Sequence, residues 1–217
     1  PPHPAAHPRK TPTAGVVVAE SSPPAVEPDT RIYAIGDIHG RADLLERLHV
    51  VLQKDADGAP EARRLAVYLG DYVDRGDDSK GVLEMVADGL GPNIESVHLK
   101  GNHEDFLLQF LDDPGEAEIW LWNGGKTTLR SYEIDPDLCS SPDTLRDRLV
   151  EALPMAHRVF LEGLQLSFTN GDYFFVHAGV RPGVALEKQN PHDLMWIREE
   201  FLDSAEDFGK TIVHGHT

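Results

Sequence analysis

Five short polar clusters in this sequence place Asp, His and Asn side chains next to glycines. Oxygen and imidazole groups of this kind suit borderline divalent ions such as Mn, Fe or Zn, whereas softer ions prefer thiolates. The glycines allow the backbone to turn sharply and to approach a ligand closely. The clusters are GDIHG (36–40), GDYVDRG (70–76), GNHE (101–104), HAG (177–179) and HGH (214–216).

The spacing of these residues suits a pair of metal ions. Asp37 and His39 present a carboxylate and an imidazole from one short loop, because alternate residues leaving a strand point the same way. Asp71 has two carboxylate oxygens and can bridge two ions. Asn102, His177 and one histidine of the last cluster can complete the set of ligands around the second ion. Two ions about 3.5–4 Å apart generate a hydroxide at neutral pH and stabilise in-line displacement at phosphorus, which predicts a metal-assisted phosphoester hydrolase.

Each cluster taken alone also has a purely structural interpretation, since Asp and Asn are common in turns at strand ends. Five clusters in one chain, each directly after a predicted strand, favour a shared site instead. Ligands of an open α/β sheet bind at the carboxyl ends of its strands. We therefore expect the five clusters to converge in space.

The elements that must position these clusters alternate along the chain. Short β-prone runs alternate with helical periodicity from residue 31 onward, which predicts right-handed crossovers and a largely parallel sheet in an α/β fold. Residues 116–163 have a mostly helical pattern and are expected to pack over the sheet as a cap. The predicted strands are 32–35, 65–69, 94–99, 164–168, 173–176 and 211–213, and the predicted early helices are 44–52, 80–87 and 103–110.

The composition is typical of a globular protein with one substantial core. The chain has 217 residues, of which 40% are hydrophobic and 26% charged. A formal net charge of -17 disfavours nucleic acid or an anionic membrane as the main partner. The single cysteine, Cys139, cannot form an internal disulfide, and the early apolar run at 16–19 is too short for a membrane span. We therefore expect a cytoplasmic protein.

Half of the 16 prolines lie in the first 28 residues. A segment so poor in apolar surface cannot offset its ordering entropy, so residues 1–29 are predicted to be a disordered tail. A plain flexible extension is favoured over a docking ligand. Residues 30–217 are predicted to form the catalytic domain.

The ordered set of motifs resembles the phosphoprotein phosphatase branch of the calcineurin-like metallophosphoesterases, and the bacterial serine/threonine protein phosphatases in particular. The resemblance spans residues 31–217 and extends to the segments WLWNGG (120–125) and DLMWIR (193–198). It implies a central β-sandwich flanked by helices, with a dinuclear metal centre. It also implies that the chain stops short of the family's usual C-terminal strands.

The resemblance further implies a role for each motif residue. Attack on phosphorus would come directly from a metal-bridging hydroxide, without a phosphoenzyme. His103 would be the general acid, oriented by Asp74, while Arg75, Asn102 and Arg198 would bind phosphate. His214 would lie outside the ligand set. The implied metal ligands are Asp37, His39, Asp71, Asn102, His177 and His216.

The leading functional hypothesis is a phosphatase acting on phosphoserine or phosphothreonine in a protein or peptide, with activity on phosphotyrosine left open, and with two divalent ions, Mn first and Fe or Zn next. A diadenosine tetraphosphate hydrolase or another small-molecule phosphoesterase is the alternative. Glu104 favours the phosphatases, because the third motif of the hydrolases usually ends in Asp. A third hypothesis, from a different class, is an inactive protein that keeps a metal or phosphate site. The oligomeric state is left open.

Overall fold

A computed structural model describes residues 22–216. The first half of the folded chain alternates strands and helices, as the sequence predicts. The second helix starts where the Asp78 carboxylate accepts the backbone N–H of Gly81 at 2.8 Å. The elements of this half are β1 (Thr30–Ile35), α1 (Ala42–Gly58), β2 (Arg63–Tyr68), α2 (Ser79–Asp88), β3 (Glu95–His98) and α3 (Asn102–Asp112).

The first three strands form a parallel sheet in the order β1-β2-β3. Ile32 pairs with Leu65, and Val67 pairs with Val97. Residues 65–68 of the central strand are fully buried, because helices and the second sheet cover both faces. The prediction of parallel strands joined by helical crossovers is confirmed for this half of the chain.

The last three strands form a separate sheet in the order β4-β5-β6. One largely parallel sheet was therefore the wrong prediction, since β4 runs antiparallel to β5 while β5 runs parallel to β6. A tight hairpin at Asn170-Gly171 causes the reversal, with Gly171 at φ 55°. The strand predicted at 164–168 lies slightly later in the chain. The strands are β4 (Ser167–Asn170), β5 (Tyr173–Val176) and β6 (Thr211–Val213).

The two sheets pack against each other in the β-sandwich that the family resemblance implies. Val67, Leu69 and Leu99 on the first sheet share an apolar cluster with Phe175 on the second. Burial of these side chains stabilises the sandwich by about 25 cal/mol per Å² of apolar surface removed from water. The sandwich therefore brings the carboxyl ends of β2, β3 and β5 close together.

The region predicted to be helical is helical, but it packs against α2 and α3 rather than directly over the sheet as predicted. Its buried side chains include Trp120, Leu129, Leu149 and Leu161. A single π-helical turn, Leu121–Gly125, interrupts it, with Gly124 at φ 112°. We define the cap as residues 117–162. Its helices are α4 (Ala117–Trp120), α5 (Lys126–Ser131), α6 (Pro142–Ala152) and α7 (Met155–Glu162). Two helices outside the cap, α8 (Pro191–Trp196) and α9 (Glu199–Leu202), come between β5 and β6 along the chain.

The prediction of a disordered tail at 1–29 falls largely outside the described residues. The described end of that segment contacts the β4–β5 hairpin. The backbone N–H of Ala25 donates to Asp172, and that of Glu27 donates to Asn170 at 2.9 Å. Among residues 22–216, no helix is long and apolar enough to cross a membrane.

Candidate metal centre

The polar clusters that follow the strands converge at one end of the sandwich, as predicted. Asp37 follows β1, Asp71 follows β2 and Asn102 opens α3 directly after β3. His177 and His216 follow β5 and β6. All of these except Asp37 are buried. Their convergence places six candidate ligands, with His39, around one small volume.

Two clusters of possible metal ligands share the carboxylate of Asp71. The first contains His39, Asp71 and His103, and the second contains Asp71, His177 and His216, with the ligand atoms of each cluster within 4.8 Å of one another. The Oδ2 atom of Asp71 lies 3.5 Å from His39 Nε2, and its Oδ1 atom lies 3.4 Å from His177 Nε2. One oxygen therefore faces each cluster.

The imidazoles of His39 and His177 are held so that Nε2 of each ring carries the lone pair that a metal requires. Nδ1 of His39 donates to the Val73 carbonyl at 2.9 Å, and Nδ1 of His177 donates to the Leu69 carbonyl at 2.8 Å. A carbonyl can only accept, so both protons lie on Nδ1 and both Nε2 atoms carry a lone pair. This is the tautomer that a divalent ion needs.

His216 completes the second cluster and also contacts Asp37. Its Nδ1 atom lies 3.1 Å from His177 Nε2, while its buried Nε2 atom has no hydrogen-bond partner within residues 22–216. The backbone N–H of His216 donates to the Asp37 carboxylate at 3.1 Å. The amide oxygen of Asn102 lies 3.0 Å from His177 Nε2. This donor set, with an unpartnered buried nitrogen, fits divalent cations.

The electrostatics of the centre favour a bound cation. Burial, and then the charge of Glu104, raise the pKa of Asp71 to about 9. Burial lowers the pKa of His177 to about 4 and that of His216 to about 3, and it also lowers the pKa of His39. Burial thus keeps the imidazoles neutral, as metal ligation requires. It also disfavours the negative charge of the Asp71 carboxylate, which a bound cation would compensate.

A second polar pair lies beside the first cluster. His103 Nδ1 donates to Asp74 Oδ2 at 2.7 Å, and both side chains are buried. Arg75 donates from Nη2 to His103 Nε2 at 3.1 Å and from Nη1 to His39 Nε2 at 2.9 Å. The predicted acid, its orienting carboxylate and the predicted phosphate-binding arginine are therefore adjacent.

Arg198 and His214 lie at the edge of this centre. The Arg198 side chain is exposed, and its charge contributes to lowering the pKa of His216. His214 packs edge-on against Phe201, with ring centroids 5.1 Å apart. Among the described residues, the structure places His216 rather than His214 beside Asp71 and His177.

The backbone of the centre is held in an unusual conformation. Seven described residues other than glycine have a positive φ, and five of them belong to the predicted site. The left-handed region costs a non-glycine residue free energy and persists where surrounding contacts impose it, often at functional sites. The five are His39 (46°), Asp71 (55°), Asp74 (72°), Arg75 (67°) and His216 (66°).

Three residues of the centre were not assigned a structural role by sequence reasoning. Glu104 accepts four backbone N–H groups, including those of Asp71 and Gly101, at 2.7–3.2 Å. Trp120 and Thr128 of the cap both donate to Asp74. A glutamate at the third position of α3 is a capping-box signal, which could have identified Glu104. Trp120 opens the WLWNGG segment of the family resemblance, but nothing in the sequence indicated that Trp120 or Thr128 contacts Asp74.

Two His/Asp clusters that share a carboxylate, beside a His–Asp pair on a two-sheet α/β sandwich, define the centre of a metallophosphoesterase. The chain belongs to the calcineurin-like phosphoesterase family, whose model matches residues 30–217. The family uses divalent metals, and the residues described above could bind them.

Several proteins are similar to this chain. A symmetrical bis(5'-nucleosyl)-tetraphosphatase of Dechloromonas aromatica is 35% identical over 150 residues, covering 69% of this chain and 44% of the relative. Serine/threonine-protein phosphatase 2 of Escherichia coli is 37% identical over 95 residues, covering 43% and 38%. A crystal structure of a proposed diadenosine tetraphosphatase superposes with a TM-score of 0.56 at 20% identity, covering 88% and 77%, and supports the fold. The chain spans less than half the length of these two curated relatives.

Proposed function

We propose that this protein hydrolyses a phosphate ester or anhydride with two divalent ions held at the shared carboxylate. The observation that carries the proposal is the position of Asp71, whose two oxygens face the two clusters from 3.5 and 3.4 Å. Mn is the first candidate and Fe or Zn the next, because the donors are oxygens and imidazoles. The ligands would be Asp37, His39 and Asp71 for one ion, and Asp71, Asn102, His177 and His216 for the other.

When bound, two such ions supply a water-derived nucleophile at neutral pH and neutralise charge on the phosphate. The chain's own residues bind and orient the substrate. Arg75 already aims both Nη atoms into the centre, and phosphate oxygens would replace the imidazole nitrogens as its partners. A guanidinium fork matches two phosphate oxygens. Arg198 is proposed as a second phosphate-binding group at the exposed edge.

His103 is proposed to give a proton to the leaving oxygen. Its Nδ1 is engaged by Asp74 at 2.7 Å, so that Nε2 is the nitrogen directed at the substrate. Asp74 fixes the orientation of the ring and stabilises its protonated form. General acid catalysis of this kind contributes about 10²–10⁴-fold to the rate.

A bis(5'-nucleosyl) tetraphosphate is the first candidate substrate. The support is the similarity to the tetraphosphatase of Dechloromonas aromatica, which extends over 69% of this chain. A second tetraphosphatase, from an Acidovorax strain, is 33% identical over 70% of the chain. These two relatives match a larger share of the chain than the serine/threonine phosphatases do. We therefore prefer the dinucleotide to the phosphoprotein that the motifs predicted.

A phosphoserine or phosphothreonine protein is the second candidate. The support is the similarity to serine/threonine-protein phosphatase 2, which is higher in identity but shorter, at 37% over 43% of the chain. Glu104 in the third motif also favours this candidate. Phosphotyrosine would be tested with it.

The test is a side-by-side assay of Mn-loaded protein on diadenosine tetraphosphate, a phosphoserine peptide and a phosphotyrosine peptide. We expect the highest kcat/KM on the dinucleotide and loss of that activity in His103→Asn protein that still binds two ions. A higher kcat/KM on a peptide would overturn the substrate assignment in favour of the second candidate. If protein shown to hold two ions turned over none of the three, the inactive binding protein would replace both.

A further inference from the structure

The carboxylate of Asp74 is fully buried and receives hydrogen bonds from the cap as well as from His103. Trp120 Nε1 donates to Oδ1 and Oδ2 of Asp74, each at 3.1 Å. Thr128 Oγ1 donates to Oδ1 at 2.6 Å. His103 Nδ1 donates to Oδ2 of Asp74 at 2.7 Å. Both oxygens are therefore engaged, and two of the three donor side chains come from the cap, outside the five polar clusters.

The indole of Trp120 has no freedom to leave this position. Its ring stacks on Phe110, with centroids 4.9 Å apart and planes inclined by 29°. On another side it meets the α-carbon of Gly125, where an added Cβ would lie 2.8 Å from the indole nitrogen. The ring has no exposed surface. The position of the indole nitrogen is therefore set by packing and not by its hydrogen bond alone.

The hydroxyl of Thr128 is also fixed in direction. A carboxylate can only accept, so the single proton of Thr128 points to Asp74. The hydroxyl oxygen in turn accepts the Asp74 backbone N–H at 2.9 Å and lies 2.9 Å from Ser79 Oγ, which must then be the donor. Thr128 thus holds both the backbone and the carboxylate of Asp74.

We infer that Trp120 and Thr128 are positioning residues for the proton donor of the reaction. They hold the Asp74 carboxylate in the one orientation that keeps His103 Nε2 directed into the centre, so the cap takes part in the chemistry through Asp74. The inference rests on the proposed function, in which His103 protonates the leaving group. A neutral packing role would instead affect all substrates alike.

The test compares leaving groups of different quality in the Mn-loaded protein. A general acid matters little for dinitrophenyl phosphate, whose leaving group departs without a proton, and much more for phenyl and alkyl phosphates. We expect kcat of Trp120→Phe and Thr128→Val to fall by about 10- to 100-fold on the poor leaving groups, by analogy with the loss when hydrogen-bond partners of metal-ligating side chains are removed. On dinitrophenyl phosphate we expect little change, and KM should stay near its original value.

Three further variants complete the experiment. Thr128→Ser keeps the hydroxyl that Thr128→Val lacks, so its rate on phenyl phosphate should stay near that of the original protein. Gly125→Ala removes no polar group but displaces the indole, so it should reproduce the leaving-group pattern of Trp120→Phe. Trp122→Phe is the matched control, because Trp122 is 90% exposed two residues from Trp120. An equal loss on all leaving groups, or no rescue by serine, would overturn the inference.

A measurement without turnover separates this inference from the proposed function. The indole N–H resonance of Trp120, assigned by its disappearance in Trp120→Phe, should shift in Asp74→Asn and resist exchange with solvent. Rapid exchange in folded protein would contradict the hydrogen bond itself. An intact hydrogen bond in a protein that hydrolyses no phosphate ester would instead overturn the proposed function, and with it the role of the bond in proton transfer.

Discussion

The carboxylate of Glu104 binds the backbone of Asp71, accepting its N–H at 2.8 Å, from a position at the start of α3. The same carboxylate accepts the N–H of Tyr72, Val73 and Gly101 at 2.7, 3.2 and 3.0 Å. One buried side chain therefore joins the loop after β2 to the loop after β3. The left-handed backbone of Asp71 is held in place by this joint.

Replacing Glu104 should destabilise the fold. Glu104→Ala would leave four buried N–H groups without an acceptor, and each unsatisfied group costs about 1–3 kcal/mol. We expect a loss of at least ~3 kcal/mol in the free energy of unfolding, measured by urea titration. Glu104→Gln keeps one acceptor oxygen and should lose less. The control is Glu118→Ala, an exposed glutamate, which should change the free energy by less than about 0.5 kcal/mol.

The stability of chelator-treated protein should fall as the pH rises from 7 to 9. Burial raises the pKa of Asp71 to about 9, against about 3.9 in an unfolded chain. Because its folded-state pKa is raised, Asp71 contributes stability that is fully present below about pH 4. That contribution is lost as the pH rises through about 9. The lowered histidine pKa values act only below about pH 6.5. The interval from pH 7 to 9 is therefore left to Asp71 and to Glu104, whose pKa burial also raises.

The slope expected from Asp71 alone is at most about 1.4 kcal/mol per pH unit, and urea unfolding at pH 7, 8 and 9 measures the total slope. Asp71→Asn should flatten the dependence, because the amide does not titrate and Asn tolerates the left-handed backbone. Saturating Mn should remove the slope in the original protein, since the ion replaces the proton. Equal slopes in Asp71→Asn and the original protein would show that another group is responsible.

Metal stoichiometry should distinguish the two clusters. His39→Gln removes a nitrogen from the first cluster only, and His177→Gln removes one from the second, so each should lower the bound metal from two ions to about one. Asp71→Asn should affect both ions. Elemental analysis after gel filtration measures the ratio, and His192→Gln, an exposed histidine outside both clusters, is the control. Loss of both ions in His39→Gln alone would contradict two separate clusters.

Sequence patterns predicted the parallel half of the fold and the place where the ligands meet. Strand-end glycines followed by Asp, His or Asn mark the turns after β1, β2 and β3, and those turns converge because parallel strands end at one edge. The second sheet was mispredicted because alternation favoured one continuous sheet. The Asn170-Gly171 dipeptide is a hairpin signal that would have indicated the reversal at β4.

The contribution of the cap to the site could not be predicted in the same way. Trp120 and Thr128 lie 46 and 54 residues from Asp74 in the chain, and their side chains meet it only through the packing of α4 and α5 on α2 and α3. A buried tryptophan and a threonine in a helix are typical of an ordinary core. Only the orientation of their polar atoms shows that they also hold a carboxylate.

Gly101 is needed for the lack of space around it and not for its backbone conformation. Its φ of -91° is accessible to any residue, so alanine would cost nothing in backbone conformation. Its surroundings have no room for a methyl group, however, because an added Cβ would overlap Oδ1 and the backbone N of Asp71. Gly58, at the end of α1, has open space where the Cβ would lie.

Gly101→Ala should therefore push Asp71 out of both clusters, with loss of bound metal and of activity, while the protein still folds with Mn absent or present. Gly58→Ala should keep both ions and gain about 0.5–1 kcal/mol in the free energy of unfolding, because alanine restricts the unfolded chain and favours the helix. Elemental analysis and urea titration of the two variants provide the comparison. Full metal binding by Gly101→Ala would contradict this prediction. It would mean that the loop after β3 can move without displacing Asp71, and that Glu104 alone holds Asp71 in place.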